Sequence, residues 1–478
     1  MRIKLMPTSP YSKGKARQYI TTFIASLSFL TVGQSVAWPS PTIVKIMAYE
    51  TPIYLDLSQI SWMVSLMFFG NLMSPIPAGY LMEKFGRKKC IIYVTTLQFS
   101  SWILILIGQS VSSLYIARFL SGLFFGLIST VEPIYIGEIA QSDIRGRLST
   151  FNNLMMSIGM LLTFVIGPYI SYYSLAIVSL LLTFLFFIMF LFMPESPYFL
   201  VKKDKNEMAR KSLSWLRGDK NKIELDMELN MIEKTVQEQL ENQSSYQEIF
   251  VSKGSRKAFV ISEIFAALKR LSGNGVIQTF APTTLPHLTF NFLNSSQCVI
   301  IFGIIGVISC LCTVLIADKY GRKILLSISC FGCAVTTLIS AFWFYIETKT
   351  DIAIEFLNGI PFIMFSIHTA SYSLGLGSAG GTIKGELFPA NVKSKMSALT
   401  TITLAVTSFI LNKFYLIIAY EEGVYLNYVI FSISCFAGLI FTITYLPETK
   451  GKSLQEIQDI LNGIERQKIT TPVLSRIV

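Results

Sequence analysis

Two stretches decide the fold, "YLMEKFGRKK" at residues 80–89 and "IADKYGRKIL" at residues 316–325. Each sets an acidic residue, a Lys and an aromatic residue before Gly-Arg-Lys, and each stands at the end of a long apolar run. A Gly in that place permits a tight turn between two helices. Working outward, apolar stretches long enough to cross a hydrocarbon core of about 30 Å fall near 19–37, 60–82, 90–108, 113–136, 150–170 and 174–193. Six more fall near 258–282, 297–316, 324–345, 358–382, 395–418 and 425–446. With 52% hydrophobic residues and only 14% charged, and a mean hydropathy of +0.54, the composition excludes an ordinary soluble domain. Lipid offers backbone groups no partner, so these runs specify an all-α membrane protein with twelve transmembrane helices.

The net charge of +11 does not point to nucleic acid, because the basic residues share one face. The outward loops carry only Lys45 and Lys349, while "GRKK", "RGR", "VKKDK", the second "GRK", "KSK" and both tails lie opposite. That asymmetry places both termini and the long middle loop in the cytoplasm. The basic N-terminus precedes a long span without a small-residue cleavage site, so helix 1 is expected to be an uncleaved signal anchor. The sequon at Asn294 falls outside on this topology and is expected to be glycosylated; the one at Asn242 is not. Seven cysteines without metal-ligand spacing read as small apolar packing residues.

The repeated phrase belongs to a larger duplication. Helix 4 ends in "PIYIGEIAQSDIR" and helix 10 in "TIKGELFPANVK"; "PESP" (194–197) follows the sixth span and "PETKG" (447–451) the twelfth. Glu138 precedes Arg145 by seven residues, and Glu386 precedes Lys393 by seven. The expected organisation is an N-terminal six-helix half (1–193), a linker with short amphipathic cytoplasmic helices (194–256), a C-terminal six-helix half (257–446) and a cytoplasmic tail (447–478). Two duplicated halves suit a rocking carrier that holds its solute at midplane, where the halves meet.

In "GYLMEKFGRKK", "ARFLSGLFFGLISTVEPIYIGEIAQSDIRGRL", "PESPYFLVKK", "LSGNG", "GELFPANVKSK" and "PETKGKSLQEI", the chain resembles a sugar porter of the major facilitator superfamily. Among these it is most similar to the arthropod facilitated trehalose and glucose transporters, over nearly its whole length. The resemblance implies the major facilitator fold, a plasma-membrane location and a sugar as solute. It also implies a cytoplasmic latch, tied when the carrier is open outward and parted when it opens inward.

The candidate gating residues are Glu83, Gly86, Arg87, Lys88, Glu138, Arg145 and Glu195 in the first half. Asp318, Gly321, Arg322, Glu386, Lys393 and Glu448 are their counterparts in the second. Fixed cations beside helix ends and carboxylates can clasp two helices; the alternative is that they only enforce topology. The first copy has Glu83 and Lys84 where the family usually has Asp and Arg, which keeps the charge but not the planar fork of Arg. Arg118 lies inside a span, where a lone guanidinium is costly, and is expected to be structural, near the latch.

The solute site is expected where apolar helices are interrupted in matching positions: "VGQSVAWPSP" and "LKRLSGNGVIQ" on helices 1 and 7, "VEPIYIG" and "LGLGSAGGTIKG" on helices 4 and 10. The resemblance implies neutral amides on helices 5, 7 and 11 and a Trp on helix 10. Here those positions hold Asn153, then Lys269 and Arg270, then Gly275 with Asn274 one residue earlier, then Gly381 and Leu404. The candidate solute-binding residues are Asn153, Lys269, Arg270, Ser272, Asn274, Gln278 and Gly381. Glu263, two turns before Arg270, is expected to form an internal ion pair with it; an anion-assisted pocket is the other reading.

Helix 1 lacks the carboxylate of the proton-coupled members, which favours facilitated diffusion. No Walker-type glycine loop is present, so no ATP use is expected. Two histidines, His287 and His368, leave little for metal or acid–base chemistry, and His368 reads as a hydrogen-bonded core residue. No enzyme activity, cofactor or metal is expected. The reading is a monomeric carrier of glucose, trehalose or a similar small solute across the bilayer. A carrier of a non-hexose or anionic solute, or a transport-silent sensor or scaffold, stays open as an alternative.

Overall fold

In the computed structural model, residues 10–148, 150–218, 221–241, 252–286, 288–289, 293–352, 355–377, 387–388, 392–450, 452 and 454–462 are described. Among them, nine helices are long and apolar enough to cross a membrane, and a tenth span is the pair Leu57–Met73 and Pro75–Phe85, bent by 50°. Pro75 has no N–H to continue the ladder, which accounts for the bend in span 2. Spans 7 and 10 complete the twelve, and both are interrupted. Span 7 is Lys253–Leu271 followed by Asn274–Thr284; span 10 is Gly359–Tyr372 running into a π turn at Ser373–Gly377.

The remaining spans are Pro10–Ala37 with its extension Pro39–Met47, Arg87–Ile107, Val111–Ile139, Phe151–Ile166 and Tyr172–Leu191 in the first half. Ser295–Tyr320, Arg322–Lys349, Lys393–Glu421 and Val424–Tyr445 belong to the second. Several run past their apolar stretch. Span 1 starts at Pro10 rather than 19 because the helix continues into turns carrying Lys13, Lys15 and Arg17. Span 4 is one continuous helix with Pro133 inside it, so the interruption expected at "VEPIYIG" is absent.

The packing repeats between halves. Span 1 packs on span 5 as 7 does on 11, span 3 on span 6 as 9 does on 12, and span 2 on span 4 as 8 does on 10. The halves meet where span 2 packs on span 11 and span 5 on span 8, contacts that the duplication interchanges. Large apolar side chains such as Ile107, Leu181, Phe342 and Ile440 stand exposed along the outer helices, a surface that only lipid would cover.

Between the halves, Pro197–Lys202, Asn206–Arg217 and Lys222–Glu241 bury Leu200, Leu213, Leu229 and Ile232 in a small core of their own. They also grip the first half: the buried Arg217 donates to Ile139 O at 3.0 Å, at the end of span 4, and pairs with Glu228 at 2.7 Å. The last described helix, Leu454–Asn462, grips span 7, with Asn462 Oδ1 accepting from Gly254 N at 2.6 Å.

Candidate functional site

Both copies of the repeated motif close in the same way. Gly86 (φ 89°, ψ 176°) and Gly321 (φ 77°, ψ 155°) take a backbone conformation that is essentially reserved for glycine, each at the start of the following span. A distant carboxylate then caps that span. Glu195 Oε1 accepts from Arg87 N and Lys88 N, both at 3.0 Å. Glu448 accepts from Arg322 N at 3.1 Å and Lys323 N at 3.3 Å. Each carboxylate lies against its glycine: a Cβ on Gly86 would meet Glu195 Oε2 at 2.5 Å, and one on Gly321 would meet Glu448 Oε2 at 2.8 Å. Negative charge at a helix N-terminus satisfies orphan N–H groups and opposes the dipole.

In the first half the described residues also show side-chain pairs. Arg87 pairs with Glu138 at 2.8 Å, and Glu138 also accepts from Ser196 Oγ. Lys202 pairs with Glu83 at 3.0 Å. Arg145, grouped with Glu138 among the expected gating residues, is exposed and donates to Ala140 O at 3.4 Å; its seven-residue spacing from Glu138 leads out of the end of span 4 at Ile139. In the second half, Glu386 and the side chains of Asp318 and Lys393 lie outside the described residues.

Arg118 is buried in the first half, but not beside this clasp. It donates to Ser35 O at 2.8 Å and Met63 O at 3.2 Å, and its guanidinium lies 5.6 Å from the Trp38 ring centroid. It therefore joins spans 1, 2 and 4 near the opposite end of span 4 from Glu138. Two carbonyls and an aromatic face offset the cost of an intramembrane cation.

A buried carboxylate that sequence reasoning passed over sits further along the same span. Glu132 is fully buried; it accepts from Asn152 Nδ2, and from Ser26 Oγ at 3.4 Å. The expected solute residue on span 5, Asn153, is exposed, and its neighbour Asn152 makes the interhelical contacts. Asn152 also lines a cavity of about 420 Å³ with Pro133, Ile136 and Arg145. A larger opening of about 570 Å³, lined by Tyr49, Tyr54, Asp56 and Glu421, lies at the opposite ends of the helices.

Span 7 breaks where the sequence predicts. Gly273 is left-handed (φ 81°), Ser272 is buried with Oγ 3.1 Å from Lys269 O, and His368 Nε2 lies 3.0 Å from Ser272 O. His368 is thus the buried, hydrogen-bonded residue expected. Lys269 reaches across to span 10 and donates to Gly377 O at 2.9 Å, holding the π turn. Glu263 does not pair with Arg270 among the described residues: Thr400, at 2.9 Å, and Thr403 on span 11 donate to it. Arg270 Nε is buried without a partner, as is Asn274 Oδ1, while Gln278 is half-buried further along. Gly381 lies outside the described residues.

Two duplicated bundles, a clasp in each and a broken helix between them define a membrane carrier of the major facilitator architecture. Residues 18–461 match the family described as Sugar (and other) transporter, and the chain belongs to that family. A facilitated trehalose transporter Tret1 of Culex quinquefasciatus is 30% identical over 462 residues, which cover 96% of this chain and 88% of that one. The Tret1 of Anopheles gambiae is 30% identical over 453 residues, but this chain spans only 56% of its length. The xylose transporter XylE from E. coli, in a partially occluded inward open conformation, matches with a TM-score of 0.77 at 20% identity, covering 92% of this chain and 100% of that one. At that identity the match speaks for the fold.

Proposed function

We propose that the chain is a monomeric carrier of a sugar or sugar-like solute, working by facilitated diffusion and alternating access in the plasma membrane. Both termini and the linker helices then lie in the cytoplasm, on the side of the basic motifs. The observation that carries this reading is the break in span 7 at Ser272–Gly273, set at the junction of two halves with matching packing. Interrupted helices free backbone groups for a solute at midplane. The names of the Tret1 relatives point to sugars as the solute class.

The two clasps are rigid joints rather than moving gates in this reading. Arg87 and Glu138 are paired while the far ends of spans 2 and 11 are joined, with Ser61 Oγ bonded to Lys413 O and Lys413 Nζ 4.4 Å from the Trp62 ring centroid. Residues on both sides of the Arg87–Glu138 pair belong to one half, so rocking of the halves need not break it. Residues 1–193 and 257–446 would be the two rocking bodies.

Reconstitution into liposomes tests the reading. Saturable uptake and counterflow from a panel of glucose, trehalose, polyols and sugar acids is expected without ATP or an imposed pH gradient. Uptake that appears only under a pH gradient would contradict facilitated diffusion.

A further inference from the structure

We propose that the solute carries a carboxylate, bound at the break in span 7 by Arg270 and the N-terminus of the helix segment Asn274–Thr284, with Asn274 taking a neighbouring hydroxyl. The solute is then a sugar acid rather than a neutral sugar. This inference rests on the carrier reading above.

The segment Asn274–Thr284 starts after the left-handed Gly273 and has no side-chain cap. The N–H groups of its first turn thus point out of its positive end. Arg270 lies over that end: its Nη1 is 4.0 Å from the place a Cβ on Gly275 would occupy, the nearest approach from outside the segment's own turn. A guanidinium against a helix N-terminus sets positive charge on positive charge. Such an arrangement is unfavourable in a dry midplane unless an anion joins the two.

Among the described residues, the neighbouring acid and base on span 7 are already engaged elsewhere. Glu263 is held by Thr400 and Thr403, and Lys269 by the carbonyl of Gly377. Tyr372 of span 10 is near enough to Arg270 to interact with it electrostatically. Among the described residues, then, no carboxylate answers Arg270, and its Nε is buried without an acceptor. A single guanidinium plus a partial helix charge balances one negative charge, which fits a carboxylate better than the near-dianion of a phosphate ester.

The second independent observation is Asn274. The residue is only 8% exposed, and its Oδ1 has no donor. An acceptor beside a cluster of donors is what a hydroxylated carboxylate would use. Gly275 leaves open the place beside Arg270 Nη1 that a side chain would enter.

Uptake of radiolabelled D-glucuronate and D-glucose is measured in proteoliposomes for the wild type, Arg270→Gln and Arg270→Lys, alongside thermal stabilisation of the purified protein by each compound. The wild type should take up glucuronate in preference to glucose. Arg270→Gln should lose glucuronate uptake by about tenfold or more, the scale of removing one buried charge partner, and Arg270→Lys should lie between. Glucose uptake that glucuronate neither matches nor inhibits, with no stabilisation by glucuronate, overturns the anion site and leaves the carrier reading standing. Stabilisation by glucuronate in the wild type but not in Arg270→Gln, with no uptake of either compound, supports the anion site and sinks the carrier reading. If Arg270→Gln does not fold, the wild type decides: a lack of any effect of glucuronate on its melting or on glucose uptake overturns the proposal.

Discussion

At the residue scale, the clasps make the sharpest demands on side-chain identity. Gly86→Ala puts a Cβ 2.5 Å from Glu195 Oε2 and 2.6 Å from Phe199 Cε1, at a φ of 89°. The backbone conformation alone costs about 1–3 kcal/mol for a residue with a Cβ. A lower melting midpoint in detergent is expected, and an unchanged one would mean that the turn relaxes freely. Arg87→Ala should likewise destabilise the first half, because it leaves the half-buried carboxylate of Glu138 without its cation. Arg145→Ala, at an exposed position outside that pair, should leave both stability and surface expression near the wild type. Equal effects of the two substitutions would refute the observed pairing. Glu448 adds a pH dependence. Burial pushes its carboxyl up, but the N–H groups of Lys450, Arg322, Lys323 and Thr449 outweigh it and hold it below the ordinary glutamate value of 4.5. A carboxyl depressed in the fold contributes stability above its unfolded value and loses it as pH falls through the folded one. The melting difference between wild type and Glu448→Gln should therefore be constant above about pH 5 and shrink on further acidification. A difference that grows in acid would reverse the sign.

At the scale of elements, spans and motifs were legible in the sequence to different degrees. Hydropathy located the apolar centre of each span but not its ends, because helices such as Pro10–Ala37 run on into charged turns that lipid does not cover. The break at Gly273 was readable in "LSGNG", since Ser-Gly-Asn-Gly punctuates a helix whatever surrounds it. The bend before Pro75 carried an equally local signal, in "SPIP", that went unused. Span 4 shows the opposite: Pro133 lies inside an unbroken helix, so a Pro alone did not predict a break. Asn294 tests the orientation of these elements. Its Oδ1 caps the helix Ser295–Tyr320 by accepting from Gln297 N at 2.9 Å, while the side chain stays exposed. In a eukaryotic membrane host, an endoglycosidase-sensitive mass shift should vanish with Asn294→Gln. A shift that instead vanishes with Asn242→Gln would turn the whole bundle over.

At the scale of the molecule, the duplication was written in the sequence and recurs in the packing, but partners brought together over long separations were not. Glu195 meets Gly86 and Glu448 meets Gly321 across most of a half; motif order hinted at both pairs, and only the fold shows that each carboxylate caps a helix. Glu132 gave no such hint, because Ser26 and Asn152 reach it from two other spans. Arg118 was placed near the clasp from its motif, whereas its partners Ser35 and Met63 lie toward the other ends of spans 1 and 2. The central claim is that the halves must part at the ends where spans 2 and 11 now touch. Ser61→Cys combined with Lys413→Cys, joined by a short reducible thiol crosslinker in proteoliposomes, tests it, with the wild type treated in parallel to control for the seven native cysteines. The Ser61 hydroxyl already reaches the Lys413 carbonyl, so the pair should crosslink readily. The account predicts that uptake is lost on crosslinking and returns on reduction. Undiminished uptake by fully crosslinked protein would contradict alternating access through these two halves.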